Sequence, residues 1–113
     1  MHVAIRRYQV DPGTVDEIMR QIHEGFIPLI MDAKGFLAYY ALHARDGEIA
    51  TVSVFEDEAG AEESIRMAGD FVQQNLASLL PNPPEITAGE VSTTRIKFDQ
   101  ARRAQGDVLM RLK

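Results

Sequence analysis

Three histidines, three tyrosines and a pair of adjacent arginines are the side chains of this 113-residue sequence best suited to chemistry. His23 follows Met19 by four residues and sits beside Ile22, at the border of an apolar helical stripe. An imidazole there titrates near neutral pH and could act as a base at a pocket rim; the competing reading is a boundary histidine facing water. His43 shares a strand face with Tyr39, and a neutral imidazole beside a phenol could take a proton from an acidic phenol. Its nearness to the Arg45-Asp46-Gly47 turn also suits plain strand-end exposure. Tyr8, Tyr39 and Tyr40 form a set, because buried phenols need hydrogen-bond partners. Tyrosines on opposite faces of one strand offer one hydroxyl to a helix-side cavity and one to a subunit interface, with core packing as the alternative. Whichever of Arg6 and Arg7 faces inward should meet a carboxylate such as Glu90, or a bound anionic oxygen, since a buried unpaired guanidinium is costly. His2, beside the terminus, is given no role.

Other chemistries find no residues. With no cysteine, disulfides, thiolate catalysis and thiolate-held metals are excluded. Histidines at 2, 23 and 43 match no H-x-x-x-H spacing, and glycines stand singly rather than in a phosphate-cradling loop. No metal and no cofactor is expected. A net charge of -5 argues against binding nucleic acid, which requires surplus Lys and Arg. The balance is uneven: residues 1–94 carry 6 basic and 15 acidic side chains, whereas residues 95–113 carry 6 basic and 2 acidic. The end of the chain therefore reads as a basic tail lying against the acidic body or a partner subunit. No apolar run approaches the roughly 18 residues that would cross a bilayer, and the N-terminus lacks the apolar stretch of a secretory leader. The expectation is a cytoplasmic protein without membrane contact.

The elements that must position these residues follow from periodicity. His2 to Val10 reads as a strand ending at Asp11-Pro12-Gly13. A helix starts near Thr14, with Glu17 at capping-box spacing, and carries Val15, Ile18, Met19, Ile22 and Phe26 on one stripe until Pro28 kinks or ends it. Gly35 to Ala44 is apolar on both alternating sets, Phe36, Ala38, Tyr40 and Leu42 on one, Leu37, Tyr39, Ala41 and His43 on the other, so this strand is buried on both faces. Asp46-Gly47 predicts a tight hairpin to the strand from Ile49 to Phe55. Glu56-Asp57-Glu58 opens a second helix over about 57–79, stopped by Pro81, Pro83 and Pro84, and Glu85 to Phe98 reads as a last strand. The order is β-α-β-β-α-β: an α+β, ferredoxin-like domain over 1–97, followed by a C-terminal tail over 98–113.

Two helices cover only one face of a four-stranded sheet, leaving on the order of 400 Å² of projected area bare on the other. So large an apolar patch predicts a partner, a homodimer packed sheet on sheet. The unit, with Arg6-Arg7-Tyr8 in strand one, Gly35-Phe36 entering an aromatic second strand, Val52-Ser53-Val54-Phe55 in the third and Gly89-Glu90-Val91 in the fourth, resembles the antibiotic biosynthesis monooxygenase family. That resemblance implies a homodimeric α+β barrel. It also implies a cofactor-independent oxygenation of a small aromatic or quinol substrate. The resemblance assigns no catalytic residue; the residues themselves suggest His43 or His23 to deprotonate the substrate, Arg6, Tyr8, Tyr39 and Tyr40 to hold it, and Phe71 and Asn75 from helix two to complete the pocket. The alternative is a non-catalytic dimer of the same fold, binding a small molecule or purely structural. A haem-degrading relative would carry an Asn in strand one, a Trp in helix two and a His four residues after an aromatic. Here strand one has Arg6 and Arg7, Trp is absent, and Asn75 stands four residues after Phe71. Haem is not expected. Asn75 could still hydrogen-bond a smaller ligand, or simply be exposed near a helix end.

Overall fold

The computed structural model describes residues 1–97; the basic tail expected over 98–113 lies outside the described residues. Four strands and two helical runs follow in the expected order: β1 (His2–Gln9), α1 (Val15–Gln21), α2 (Ile27–Met31), β2 (Phe36–His43), β3 (Glu48–Phe55), α3 (Glu58–Phe71) and β4 (Glu85–Glu90). All neighbouring strands are antiparallel in the spatial order β2-β3-β1-β4, the ferredoxin-like arrangement, with the helices on one face. The core lies between sheet and helices, where Ile18, Ile30, Ile49, Phe55 and Leu76 are almost wholly withdrawn from water. A hydroxyl pair lies among them. Ser64 of α3 meets Ser53 of β3 at 3.1 Å, and each hydroxyl also reaches a main-chain carbonyl, so neither is left unsatisfied.

Both helical runs begin with a cap, though not always the expected one. The Asp11 carboxylate accepts the Gly13 N–H at 2.9 Å, and the Thr14 hydroxyl donates back to the Asp11 carbonyl at 2.7 Å. The expected Thr14–Glu17 capping box is therefore not formed. Thr14 has spent its hydroxyl on the turn, and Glu17 accepts instead from Arg20 and Gln21 on the next turn. At the second helix Asp57 accepts the Gly60 N–H at 2.9 Å, which satisfies one of the first-turn donors.

Each helical run then widens into a π turn, over Ile22–Phe26 in the first and Val72–Leu76 in the second. In the first, the Ile27 N–H reaches back five residues to the Ile22 carbonyl. Pro28 follows at once; it has no N–H to give residue 24, and the chain continues as α2 after the widened turn.

In the sheet, two features depart from plain alternation. Phe36 pairs with Phe55 but Ala38 pairs with Val54, so Leu37 is an extra residue bulged out of β2. The bulge puts Phe36 on the helix side with Tyr39, Ala41 and His43, whereas strict alternation had grouped it with Ala38, Tyr40 and Leu42. The second departure is that β4 stops at Glu90 rather than running on to Phe98. Past its last paired residue the Val91 N–H still bonds to the carbonyl of Met1, and among the described residues β4 pairs with β1 alone.

The β2–β3 hairpin is turned by Asp46 and Gly47, both at positive φ (53° and 82°), the backbone expected of an Asp-Gly turn. A Cβ on Gly47 would also fall 2.0 Å from the Val10 carbonyl oxygen. Gly47→Ala should therefore cost at least about 2 kcal/mol, read as a lower urea midpoint at unchanged slope.

Candidate functional site

The alternation of β1, a central strand, decides what reaches the interior. Ala4, Arg6 and Tyr8 turn toward the helices, and Val3, Ile5 and Arg7 toward the bare face. Arg6 stands between Thr51 of β3 and Ile86 of β4, while Tyr8 stands beside Ile49, whose other neighbour is His43 of β2. The inward arginine is thus Arg6, only 7 % exposed. Its Nε donates to the Tyr8 hydroxyl at 2.8 Å, and Nη1 reaches the Ile65 carbonyl of α3 at 3.5 Å.

The carboxylate expected beside it is missing among the described residues. Glu90 lies at the far end of β4, opposite His2, and is exposed. Every ion pair found among those residues is on a helix surface, joining Arg20 to Glu17 and Glu24, and Arg66 to Glu63 and Asp70. A buried guanidinium with a phenol and a carbonyl but no anion is unusual, since desolvation of its charge is only partly offset by neutral acceptors.

Arg6, Tyr8, Tyr39 and Thr51 form the polar side of a cavity of about 20 Å³ between sheet and helices. Its apolar wall includes Ile18, Ile22 and Phe26 from the first helical run and Phe71, Val72 and Leu76 from the second. Both π turns contribute, so the widened windings sit against this space. Phe26 bridges the wall, its ring 5.6 Å from that of Tyr39 and 5.4 Å from that of Phe71, tilted in both pairs. The Phe71 ring also lies close over Gly25, where a Cβ would stand 3.0 Å from two of its carbons. In this conformation the cavity holds about one water, so an aromatic ligand would have to displace wall side chains.

Burial raises the pKa of both inward phenols. For Tyr8 the charge and hydrogen bond of Arg6 oppose the shift without cancelling it. Tyr39 is pushed up strongly by burial, against hydrogen bonding with Thr51 and the charge of Arg6. Both phenols therefore stay protonated at neutral pH and serve as hydrogen-bonding groups.

Of the residues singled out from sequence, the cavity brings together Arg6, Tyr8, Tyr39 and Phe71. Tyr40 is on the opposite sheet face and 60 % exposed, the division between two faces expected for the tyrosine pair of β2. His43 shares the face of Tyr39 but lies exposed at the strand end, beside the cavity residue Ile49 and outside the lining. His23 is exposed on the first π turn, and Asn75, also exposed, returns its amide to the Phe71 carbonyl at 3.1 Å. Thr51 was not singled out. An isolated threonine in a β-branched strand carries no sign of its role until the register sets it beside Arg6.

No protein-family model matches the sequence, and no curated protein matches it. Solved structures do match it in three dimensions. A protein of unknown function from Nitrosomonas europaea superposes with a TM-score of 0.70 at 24% identity, over 84% of this chain and 92% of the other. The monooxygenase from the ActVA-Orf6 gene of Streptomyces coelicolor, solved with nanaomycin D, gives 0.68 at 21% identity over 84% and 90%. A variant of SnoaB, a cofactor-independent oxygenase from Streptomyces nogalater, gives 0.62 at 14% over 82% and 94%. The chain shares the α+β, ferredoxin-like fold of these structures.

The protonation of the phenols is directly measurable. On alkaline titration, absorbance should show Tyr8 and Tyr39 ionising above the ordinary phenol value of 10.0, and Tyr8→Phe or Tyr39→Phe should each remove one such late transition. Because the folded-state values are raised, the stability the two phenols contribute is intact below about pH 10 and is lost as the pH climbs through their folded values.

Proposed function

We propose that this protein is a cofactor-independent monooxygenase acting on a small aromatic or quinol substrate, and that it works as a homodimer. The observation that carries this reading is the Arg6–Tyr8 corner, joined at 2.8 Å and set in an otherwise apolar and aromatic cavity. Such a corner orients one oxygen of a flat apolar molecule and holds negative charge on it. Tyr39 and Thr51 flank it. An electron-rich substrate held as its anion can give an electron to O₂ directly, which starts oxygenation without a metal or organic cofactor. Over the whole reaction a C–H₂ carbon becomes a carbonyl carbon: one oxygen atom of O₂ is retained, and the other leaves as water with the two hydrogens. The wall of Phe26, Phe71 and the π-turn side chains rearranges to admit the ring and then excludes water from it. The fold shared with an oxygenase described as cofactor-independent supports the assignment.

His43, at the cavity's edge, is the remaining base candidate from sequence, with His23 further out. Neither lines the cavity, and that observation favours the second reading, a non-catalytic dimer that binds a small molecule in the same place. Oxygen uptake by the purified protein with a panel of anthrones, dihydroxynaphthalenes and quinols separates the two. The oxygenase reading expects uptake above the protein-free rate, reduced at least tenfold by Arg6→Met and changed less than about threefold by His23→Ala. A fall of tenfold or more in His43→Ala would assign His43 the proton. No uptake across the panel leaves the binding dimer.

The dimer rests on the bare sheet face. Val3, Ile5, Val52 and Val54 lie there half-buried, with Tyr40 60 % and Leu42 46 % exposed. Strands keep such a face only when something covers it. Light scattering on dilution should report about twice 12.6 kDa, and Leu42→Asp should shift the protein to the monomer mass. A wild-type monomer at micromolar concentration would remove the dimer from the reading.

A further inference from the structure

We propose that the cavity selects its ligand by charge: it takes a flat, apolar molecule bearing one oxygen that is already anionic, a carboxylate or an acidic hydroxyl ionised in solution, and discriminates against the neutral form. This deepens the oxygenase reading by naming the charge state of its substrate, and rests on that reading only for the location of the site.

The first observation is a count of charge. Arg6 is buried, and among the described residues its partners are a phenol and a main-chain carbonyl, both neutral. A guanidinium has five N–H donors in a planar fork built to grip an oxyanion, and two of them are accounted for. Among the described residues no acceptor takes the other three, and Arg6 lines the cavity. A monoanion placed there turns an uncompensated buried charge into a desolvated, hydrogen-bonded pair, whereas a neutral hydroxyl leaves the charge uncompensated.

The second observation is that nothing on the cavity wall can accept a proton. Its titratable groups are Arg6, Tyr8 and Tyr39, and the two phenols hold their own protons more tightly than usual. The elements packed around Arg6 add none. On α3 and the first helical run, Glu63, Arg66, Asp70, Arg20 and Glu24 point to water, and Glu17 is engaged by Arg20. On the neighbouring strands Glu85, Glu90 and His43 are exposed, and His2 sits at the opposite end of β1 from Tyr8. The ligand must therefore lose its proton to water rather than to the cavity wall, and the guanidinium holds the anion that results. Substrates whose hydroxyl stays protonated in water are poor ligands by this account, however well their rings fit.

The experiment needs no turnover and is done without oxygen, so failure of the oxygenase reading and failure of this one are separable. The full-length protein is titrated with 4-nitrophenol, whose phenolate absorbs at longer wavelength than its phenol, at pH values on either side of the probe's own ionisation. The expected result is that the bound probe shows the phenolate band at pH values where the free probe is mostly neutral, its ionisation lowered by about one pH unit or more, a tenfold preference for the anion. 4-Nitroanisole, of similar shape but unable to ionise, should bind at least tenfold more weakly. 1-Naphthoate should compete, which shows that the anionic oxygen rather than a phenol is recognised. Arg6→Met should abolish the preference. A bound probe in its phenol form, equal affinity for 4-nitroanisole, or no binding of the phenolate up to millimolar concentration would each overturn the proposal. The first two readings use the wild-type protein alone and decide the matter even if Arg6→Met does not fold.

Discussion

A positive charge carried inward on a central strand is the constraint around which the rest of this molecule is arranged. β1 pairs on both sides, so its alternation cannot slip without turning every neighbour over, and that alternation commits Arg6 to the helix face. Once there, the guanidinium needs acceptors and cannot tolerate a fully apolar neighbourhood. Tyr8, two residues along the same face, gives its hydroxyl, α3 gives the Ile65 carbonyl, and the cross-strand position on β3 is filled by Thr51 rather than by a hydrocarbon. Polar groups that would be liabilities elsewhere in the core are gathered on one side of a single cavity.

The helices show the complementary compromise. Both are wound regularly where they cover the hydrocarbon floor of the sheet, and both change to the wider π winding where they pass the cavity. A π turn inserts a residue into the helical ladder and shifts the side chains that follow around the axis. Phe26 and Leu76 end the two π turns, and with Phe71, the last residue of α3, they line the space beside the polar side. The packing there joins the Phe26 and Phe71 rings and the close approach over Gly25 to branched side chains such as Ile18, Ile22 and Leu76.

Periodicity and turn chemistry were legible in the sequence because they act locally. The two-residue repeat of β1, the helical stripe of Ile18, Ile22 and Phe26, and the Asp-Gly turn each fix backbone conformation within a few residues, and each appears where expected. Arg6, Tyr8, Tyr39 and Phe71 could be named for the same reason: residue type together with face. What could not be read depends on partners distant in sequence. The extent of β4 depends on its pairing with β1; Asp11 takes the capping role while the Thr14 hydroxyl is engaged by the Asp11 carbonyl; and Thr51 matters only through what lies across the strand. The lack of a carboxylate for Arg6 among the described residues is of the same kind, since it is a property of the assembled interior.

Leu37 shows that an irregularity can conserve a facing instead of altering it. Phe36 and Ala38 stand opposite the adjacent residues Phe55 and Val54, so the residue between them is extra to the ladder. Tyr39, Ala41 and His43 take the side of Arg6, and Ala38, Tyr40 and Leu42 the opposite one, by their pairing with β3. Losing the single codon for Leu37 would leave those pairs in place and close the ladder without a bulge. Insertions and deletions are usually regarded as coarse events, tolerated in loops and purged elsewhere. At this point in the chain a one-residue length change can be absorbed inside a strand, with both sets of side chains kept on their faces.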